Sequence, residues 1–307
     1  RILYHDLRKL IDQSGISATL NLPEKTHSYK SWVNYMKRFE KSEDFEKQWA
    51  YWNPFANADR MSVSLQGNAR RGAVGRLETH LTPNDTTRFI NIVGQYSQAS
   101  PEELLICSFV QALFRTQGQT ALWIDLEGHG RDMSAQGLDF SRTIGWFTTV
   151  FPVYVRISYP EDIELSLMQV KDHLQAVPGN GLAFGVGKFY LKKALSFERA
   201  AVRFNYLGLF DTDEKTSVSA EISKGHNELL NSGYELDISA FISNEQLHVK
   251  IAYDKEKFSE NATSCILDNY LNDLLRLIEY CETNDQVSGA SRGYKELSIE
   301  DINSLFD

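Results

Sequence analysis

The sequence contains no apolar run that approaches the roughly 20 residues of a membrane-spanning helix. It also lacks a surplus of basic residues, because 32 Lys and Arg stand against 41 Asp and Glu and give a formal net charge of −9. A surface that binds nucleic acid needs clustered Lys and Arg. The sequence therefore predicts neither a membrane nor a nucleic acid as a partner.

Cysteine is scarce as well. Cys107, Cys265 and Cys281 form an odd, scattered set on apolar helical patterns, without the spacing of metal ligands. They predict reduced core thiols in a cytoplasmic protein, and no metal site. The segment Gly185-Val186-Gly187 lacks the third glycine and the preceding strand of the dinucleotide fingerprint, so the sequence predicts no nucleotide cofactor.

The hydrophobic patterns predict an α/β protein with a mixed sheet covered by helices. A chain of 307 residues is long for one core, which favours one large two-layer unit or two lobes. Helical periodicity alternates with strand patterns and one hairpin. The clearest helical faces are Leu3, Leu7, Leu10 and Ile11; Trp32, Met36 and Phe39; and Phe45, Trp49 and Trp52; the clearest strands are 77–81, 201–208, 234–240 and 247–253.

The stretch from Trp123 to Pro152 organises the chain. A short apolar run ends on Glu127, and a Gly-His-Gly-Arg-Asp turn follows it. Residues 144–155 are rich in β-branched and aromatic side chains, which predicts a buried strand. A carboxylate at a strand end, followed by glycines and an arginine, is compatible with an acid/base site, but this spacing by itself favours a structural Glu–Arg pair that ties a loop.

Four ordered motifs carry a family resemblance. EGHGRD (127–132) and SRTIGWFTTVFPV (141–153) resemble two consecutive motifs of the epimerization domains of nonribosomal peptide synthetases. Related condensation domains usually have a Val-Asn-Thr type sequence where this chain has Trp146-Phe147-Thr148. VPGNGLAFGVG (177–187) is similar to the family's glycine-rich segment, and RFNYLG (203–208) is similar to its Phe-Asn-Tyr-Leu-Gly motif. The resemblance covers most of the chain.

The resemblance implies an architecture of two lobes, like chloramphenicol acetyltransferase, with the active site in a tunnel between them. Residues 1–55 would end the N-terminal lobe, 56–73 would link the lobes, and 74–307 would form the C-terminal lobe. In the family, a His-His-x-x-x-Asp-Gly motif leads into an Arg-Ile-Leu helix like the one that begins here. We therefore expect that the N-terminal part of the same domain, with this motif, is missing from the sequence.

The implied activity is epimerization, from L to D, of the α-carbon of an aminoacyl or peptidyl thioester. The substrate would be presented on the phosphopantetheine of an upstream peptidyl carrier protein, and the domain would have no cofactor of its own. A downstream condensation domain is a further partner that the resemblance suggests.

The resemblance also implies the site residues. Glu127 would be one acid/base group, and the second histidine of the missing motif would be the other. Tyr206 would donate its phenol to the enolate or relay a proton, and Asn205 would orient the thioester carbonyl or Glu127. Adjacent residues of a strand point to opposite faces, so Asn205 and Tyr206 can face one tunnel only if a bulge intervenes.

Three residues are predicted to have supporting roles. Arg131 is expected to hold the loop and the Glu127 carboxylate rather than to contact substrate. His129, between two glycines, is expected to be structural. Asp6 matches an acidic position of the family's helix, and its alternative interpretation is a solvated or helix-terminal charge.

Two alternatives to epimerization are a condensation domain that forms a peptide bond and a catalytically inactive relative that serves as a carrier-binding platform. EGHGRD and GWFTTVFP argue against the first. An intact or degraded His-His-x-x-x-Asp-Gly motif would distinguish the enzyme from the platform.

Overall fold

The computed structural model describes residues 2–15, 20–55, 63, 73–95, 99–133, 136–193, 199–209 and 233–288. The predicted inter-lobe linker, 56–73, lies outside the described residues except for Val63 and Ala73. Within the described part of the chain, no helix is long and apolar enough to cross a membrane.

The described residues up to Phe55 are mainly helical. Helix α1 spans Ile2–Ser14, α2 spans Tyr29–Phe39, α3 spans Glu43–Trp49, and a 3₁₀ turn covers Ala50–Phe55. Ser28 and Ser42 cap α2 and α3 with their side-chain oxygens. The predicted aromatic faces form a core, in which Phe39, Phe45, Trp49 and Trp52 are buried.

Helix α1 differs from the two helices that follow it. None of its thirteen residues, all of them described, is buried. Leu3, Leu7 and Ile11 lie on one face at helical spacing, and each is more than half exposed. The predicted amphipathic pattern is therefore present, but its apolar face has no cover within the described residues.

Eight strands and five further α-helices follow in the described chain, in the order β1 (Val74–His80), α4 (Pro83–Gln95), α5 (Pro101–Gln117), β2 (Ala121–Gly128), β3 (Asp132–Met133), β4 (Leu138–Asp139), β5 (Thr149–Arg156), α6 (Ile163–Gln175), α7 (Leu182–Gly185), β6 (Val202–Leu209), β7 (Leu236–Ser243), β8 (Gln246–Asp254) and α8 (Glu260–Ser288). A 3₁₀ turn, Pro178–Gly181, precedes α7, and a π-helical turn, Val186–Tyr190, follows it. Strands β3 and β4 pair with each other, and the other six form one sheet in the order β1-β8-β7-β6-β2-β5.

The six-stranded sheet is mixed, as predicted. Strand β8 pairs antiparallel with β1 and β7, whereas β6 pairs parallel with β7 and β2. Helix α8 packs against α5, α4 and β1. A capping box formed by Ser100 and Glu103 starts α5, and Gly118 ends it in the left-handed conformation.

Two sequence predictions need correction. The strand predicted over 144–155 begins only at Thr149, and Ile144 and Trp146 are exposed, Trp146 by 79%. Within 144–148, the Gly145 carbonyl accepts from Arg131 at 3.3 Å and the Trp146 carbonyl accepts from the Tyr29 hydroxyl at 3.2 Å, so these carbonyls bind side chains. Among the cysteines, only Cys107 is a buried core thiol, because Cys281 is partly buried and Cys265 is exposed on α8.

Residue contacts divide the chain into two compact units. Unit 1 comprises Arg1–Ala58, Glu127–Phe151 and Pro178–Ser196, and unit 2 comprises Asp59–Leu126, Pro152–Val177 and Phe197–Asp307. These units do not test the predicted lobe boundaries, which stay a prediction.

Candidate active site

Glu127 lies at the end of strand β2. The first five residues of β2 are buried, and the last three, Leu126, Glu127 and Gly128, are half-buried. Strand β2 pairs with β6 from Ile124 to Leu126, and the pairing ends at the residue before Glu127. The predicted position of the carboxylate, at the point where a buried strand leaves the sheet, agrees with this geometry.

The turn after Glu127 needs its two glycines. A Cβ atom on Gly128 would lie 2.7 Å from the Thr149 hydroxyl. Gly130 has φ +62°, and a Cβ atom there would lie 1.8 Å from the Phe147 carbonyl oxygen. Only glycine tolerates both the left-handed backbone and the close approach. The Gly-His-Gly sequence is thus fixed by packing against the segment that leads into β5.

Arg131 binds the loop that precedes β5. Its guanidinium donates to the carbonyl oxygens of Phe140 at 2.6 Å, Thr143 at 2.7 Å and Gly145 at 3.3 Å. It also lies 4.3 Å from the centre of the buried Phe147 ring. Burial lowers the pKa of Arg131. These contacts are those of a residue that holds a loop.

His129 is exposed on the same turn. Its Nδ1 accepts the backbone N–H of Arg131 at 3.1 Å, so this nitrogen carries no proton in that hydrogen bond. The imidazole therefore accepts a hydrogen bond within the turn, and its structural role stays a prediction.

Asp6 is held by an ion pair. The Arg142 guanidinium donates to both carboxylate oxygens of Asp6, at 2.7 and 3.0 Å, and both side chains are partly buried. The carboxylate is thus not the solvated charge of the alternative interpretation. It ties α1 to the loop that Arg131 also binds, a contact that the sequence did not reveal because the two residues are 136 positions apart.

Asn205 and Tyr206 lie in β6, paired in register with Ser239 and Ala240 of β7. The ladder is continuous through Tyr206, and its register shifts only beyond that residue, where Gly208 has φ +74°. No bulge therefore separates Asn205 from Tyr206, and their side chains point to opposite faces of the sheet. Asn205 and Tyr206 therefore do not face the same side of the sheet, as a shared tunnel would require.

The phenol of Tyr206 is strongly biased toward its neutral form. Burial raises its pKa well above the usual range, and the Glu102 carboxylate raises it further. A phenol in this environment donates a hydrogen bond but does not act as a base near neutral pH.

A layer of buried charges supports β2, β6 and β7. Asp125, Arg203 and Asp237 are paired in register across these strands. The Arg203 guanidinium binds Asp237 at 2.6 Å, and the Tyr234 hydroxyl donates to Asp125 at 2.7 Å. Asp125 and Arg203 each lie two residues before a candidate residue of the same strand. The sequence analysis missed this layer, although acidic and basic residues within buried strand patterns were a visible signal.

A second missed contact involves Thr149. Its hydroxyl donates to the carbonyl oxygen of Asn180 at 3.0 Å and lies 3.5 Å from that of Gly128. Asn180 belongs to the turn Pro178–Gly181, in which Gly179, Asn180 and Gly181 all have positive φ. Thr149 thus links this glycine-rich turn to the end of β2.

The candidate residues fall into two groups. Glu127, His129, Arg131 and Asp6 belong to unit 1, whereas Asn205 and Tyr206 belong to unit 2. Among the described residues, no group of three His, Cys, Asp or Glu side chains is arranged to hold a metal ion.

Two relatives illustrate the similarity to known proteins. The chain is 27% identical over its whole length to gramicidin S synthase 1 of Brevibacillus brevis, of which it covers 30%. It is 26% identical over its whole length to tyrocidine synthase 2 of Brevibacillus parabrevis, of which it covers 9%. The chain thus spans less than a third of either relative.

Solved structures show the same fold. The epimerization domain from the third module of tyrocidine synthetase B matches with a TM-score of 0.74 at 23% identity, over 93% of this chain and 66% of that one. The first condensation domain of the calcium-dependent antibiotic synthetase matches with a TM-score of 0.62 at 13% identity, over 90% of this chain and 62% of that one.

The family itself is defined by sequence. The family model described as "Condensation domain" matches residues 1–289, which is nearly the whole chain. The resemblance stated from the four motifs is confirmed at this level. The chain belongs to the condensation-domain family.

Proposed function

We propose that this chain is the larger part of an epimerization domain of a nonribosomal peptide synthetase. It would invert the α-carbon of an aminoacyl or peptidyl thioester that a carrier domain presents on phosphopantetheine. The observation that carries the proposal is the position of Glu127, a half-buried carboxylate at the end of a buried strand, followed by a turn that Gly130 and Arg131 hold in place.

Epimerization requires that a proton leaves one face of the α-carbon and that a proton returns to the other. A thioester acidifies the α-proton only partly, so the site needs a positioned base and a donor for the enolate oxygen. In the proposal, Glu127 exchanges the proton on one face. Its protonated and ionised forms both have to be accessible.

Tyr206 would supply the hydrogen bond to the enolate oxygen. Its raised pKa supports donation rather than proton relay through a tyrosinate. Asn205 points to the opposite face of the sheet, so its proposed role is to orient neighbouring groups rather than to share the same substrate atom. Arg131 and His129 would hold the turn that carries Glu127, and Asp6 would anchor α1 to the same loop.

The second acid/base group would come from the family's His-His-x-x-x-Asp-Gly motif, which these 307 residues do not contain. The proposed partners are an upstream carrier protein and a downstream condensation domain. No cofactor takes part in the proposed chemistry, because the proton moves between side chains and the substrate.

The proposal is tested with the full natural protein and a carrier domain that bears an L-aminoacyl thioester. The thioester is hydrolysed after incubation in heavy water, and the amino acid is analysed for chirality and for deuterium at the α-carbon. A mixture of D and L isomers with α-deuterium supports epimerization. An unlabelled L isomer, together with an amide product when an acceptor thioester is added, would identify a condensation domain instead.

A further inference from the structure

A cleft of about 500 Å³ lies in unit 1, between helix α2 and strand β4. Ser31, Asn34 and Arg38 of α2 line it at positions i, i+3 and i+7, which lie on one face of a helix. His27, which precedes α2, and Leu138 of β4 complete the lining within the described chain. The volume of this cleft is in the range of sites that bind small molecules.

Hydrogen bonds hold the two walls of the cleft together. The His27 backbone N–H donates to the Asp139 carbonyl at 2.9 Å, and the Asp139 backbone N–H donates to His27 Nδ1 at 3.0 Å. The Thr143 hydroxyl donates to the His27 carbonyl and lies 3.1 Å from the Thr26 hydroxyl. The walls are thus fixed by the fold before any ligand binds, which lowers the free-energy cost of binding.

The lining side chains offer hydrogen-bond donors and one cation. Because His27 Nδ1 accepts a hydrogen bond, the neutral imidazole carries its proton on Nε2. The Arg38 guanidinium and the Asn34 amide make no hydrogen bond or ion pair with another described residue. The described lining contains no carboxylate, and that of the neighbouring Asp139 accepts the Ser141 backbone N–H at 2.8 Å. A guanidinium without an ion pair, beside neutral donors, suits an oxyanion, since its planar fork matches carboxylate and phosphate oxygens.

The charges around the cleft favour a phosphate over a carboxylate. Between positions 25 and 41 the only acidic residue is Glu40, whereas the basic residues are Lys25, Lys30, Lys37, Arg38 and Lys41. All of these basic residues are exposed, and none forms an ion pair with another described residue. A phosphate monoester has a charge of about −1.5 to −2 near pH 7 and three terminal oxygens. It therefore engages the cation and several donors at once, which a carboxylate with one charge and two oxygens does less well.

We propose that this cleft binds the phosphate group of a small organic phosphate monoester. Arg38 binds the phosphate oxygens, Asn34 and His27 Nε2–H donate to them, and Leu138 contacts the organic group. The inference is independent of the proposed function, because no residue that lines the cleft takes part in the proton transfer proposed for Glu127.

The test titrates phenyl phosphate into the full natural protein and follows the heat of binding. Arg38→Gln removes the cation and keeps a polar side chain, and it should weaken binding roughly tenfold or more. The wild-type affinity should fall as salt is added. The matched control, Arg156→Gln, removes an exposed arginine of unit 2 and should bind as the wild type does.

A second measurement locates the site in the unaltered protein. Phenylglyoxal modifies accessible arginines, and mass spectrometry of the peptide that contains Arg38 should show that phenyl phosphate slows its modification. An unchanged affinity in Arg38→Gln, or modification of Arg38 at the same rate with and without phenyl phosphate, would overturn the site.

Two further probes test the chemical class of the ligand. Phenyl phosphate should bind more tightly than benzoate, because of its charge, and more tightly than inorganic phosphate, because its ring contacts Leu138. Equal affinity for benzoate would overturn the assignment to a phosphate. Equal affinity for inorganic phosphate would overturn the assignment to an organic ester.

Discussion

Glu127 is the residue on which the proposed proton transfer depends, because it combines a strand-end carboxylate with a turn fixed by packing. The amide of glutamine keeps the size of the side chain but cannot take up the α-proton. We therefore expect Glu127→Gln to abolish epimerization and to leave carrier binding and folding largely intact. Chiral analysis of the hydrolysed thioester checks this, with the exposed Glu256→Gln as a control that should keep full activity.

A D/L ratio close to that of the wild type in Glu127→Gln would remove this carboxylate from the mechanism. A loss of activity accompanied by a lower melting temperature would instead point to the structural alternative, in which the carboxylate only ties the turn.

A second prediction at the scale of single residues concerns Tyr206. If its phenol donates to the enolate, Tyr206→Phe should slow exchange of the α-proton into heavy water by roughly 10²–10³. Because burial raises the pKa of Tyr206, ionisation of this group should not reduce the exchange rate in the range near pH 10 where an ordinary tyrosine ionises. Tyr270→Phe is the matched control, since it removes a hydroxyl from a fully buried tyrosine of helix α8. Equal exchange rates in the two variants would mean that Tyr206 only packs.

At the scale of elements, the loop between β4 and β5 decides how the turn after Glu127 is held. The Arg131 guanidinium donates hydrogen bonds to three backbone carbonyls of this loop. The Phe147 ring packs against the guanidinium and against the rings of Tyr29 and Trp32. The loop is therefore a fixed element, although it has no regular hydrogen-bonded ladder. Its exposed Ile144 and Trp146 are consequences of this arrangement.

Gly130→Ala tests this element. The left-handed φ and the contact with the Phe147 carbonyl both exclude a Cβ atom, so the loop and the turn have to move apart. Strained backbone positions of this kind cost about 1–3 kcal/mol each, and we expect a loss of at least this size in urea unfolding together with a loss of epimerization. Gly137→Ala is the control. Its φ is also positive, at +68°, but nothing lies within 4 Å of the added atom. Equal stability losses in the two variants would show that the contact with Phe147 is unimportant.

Much of the element layout could be predicted from the sequence, because local signals decided it. The capping box at Ser100, the alternation in β7 and β8 and the aromatic spacing in α2 and α3 all lie within a few residues. The end of β2 at Glu127 was visible for the same reason. These signals report local backbone preference and the direction of the apolar face.

The start of β5 could not be predicted in this way. Residues 144–148 have strand-like composition, but the Gly145 carbonyl accepts from Arg131 and the Trp146 carbonyl accepts from Tyr29, which is 117 positions away. The pairing of Asp6 with Arg142 and the layer of Asp125, Arg203 and Asp237 likewise depend on contacts between distant segments. Tertiary contacts override local propensity at these positions.

At the scale of the whole molecule, most of the large exposed apolar side chains belong to unit 1. Those of α1 form a face that a soluble monomer rarely leaves open. We propose that the family's His-His-x-x-x-Asp-Gly motif, which these 307 residues do not contain, supplies the second acid/base group.

This proposal predicts that the 307-residue chain does not epimerize a carrier-bound substrate by itself. A single base tends to return the proton to the face it left, so Glu127 alone would at most exchange the α-proton with retention. Deuterium uptake without inversion in the isolated chain would fit this expectation. Inversion by the isolated chain would show that both groups lie within these residues.

The most direct test is the configuration and α-deuterium content of an aminoacyl thioester after incubation with the full natural protein in heavy water. The epimerization proposal predicts that an L-aminoacyl carrier yields D isomer with deuterium at the α-carbon, and that Glu127→Gln yields neither. Recovery of only unlabelled L isomer from the wild type, with the thioester still accepted for peptide-bond formation, would contradict it.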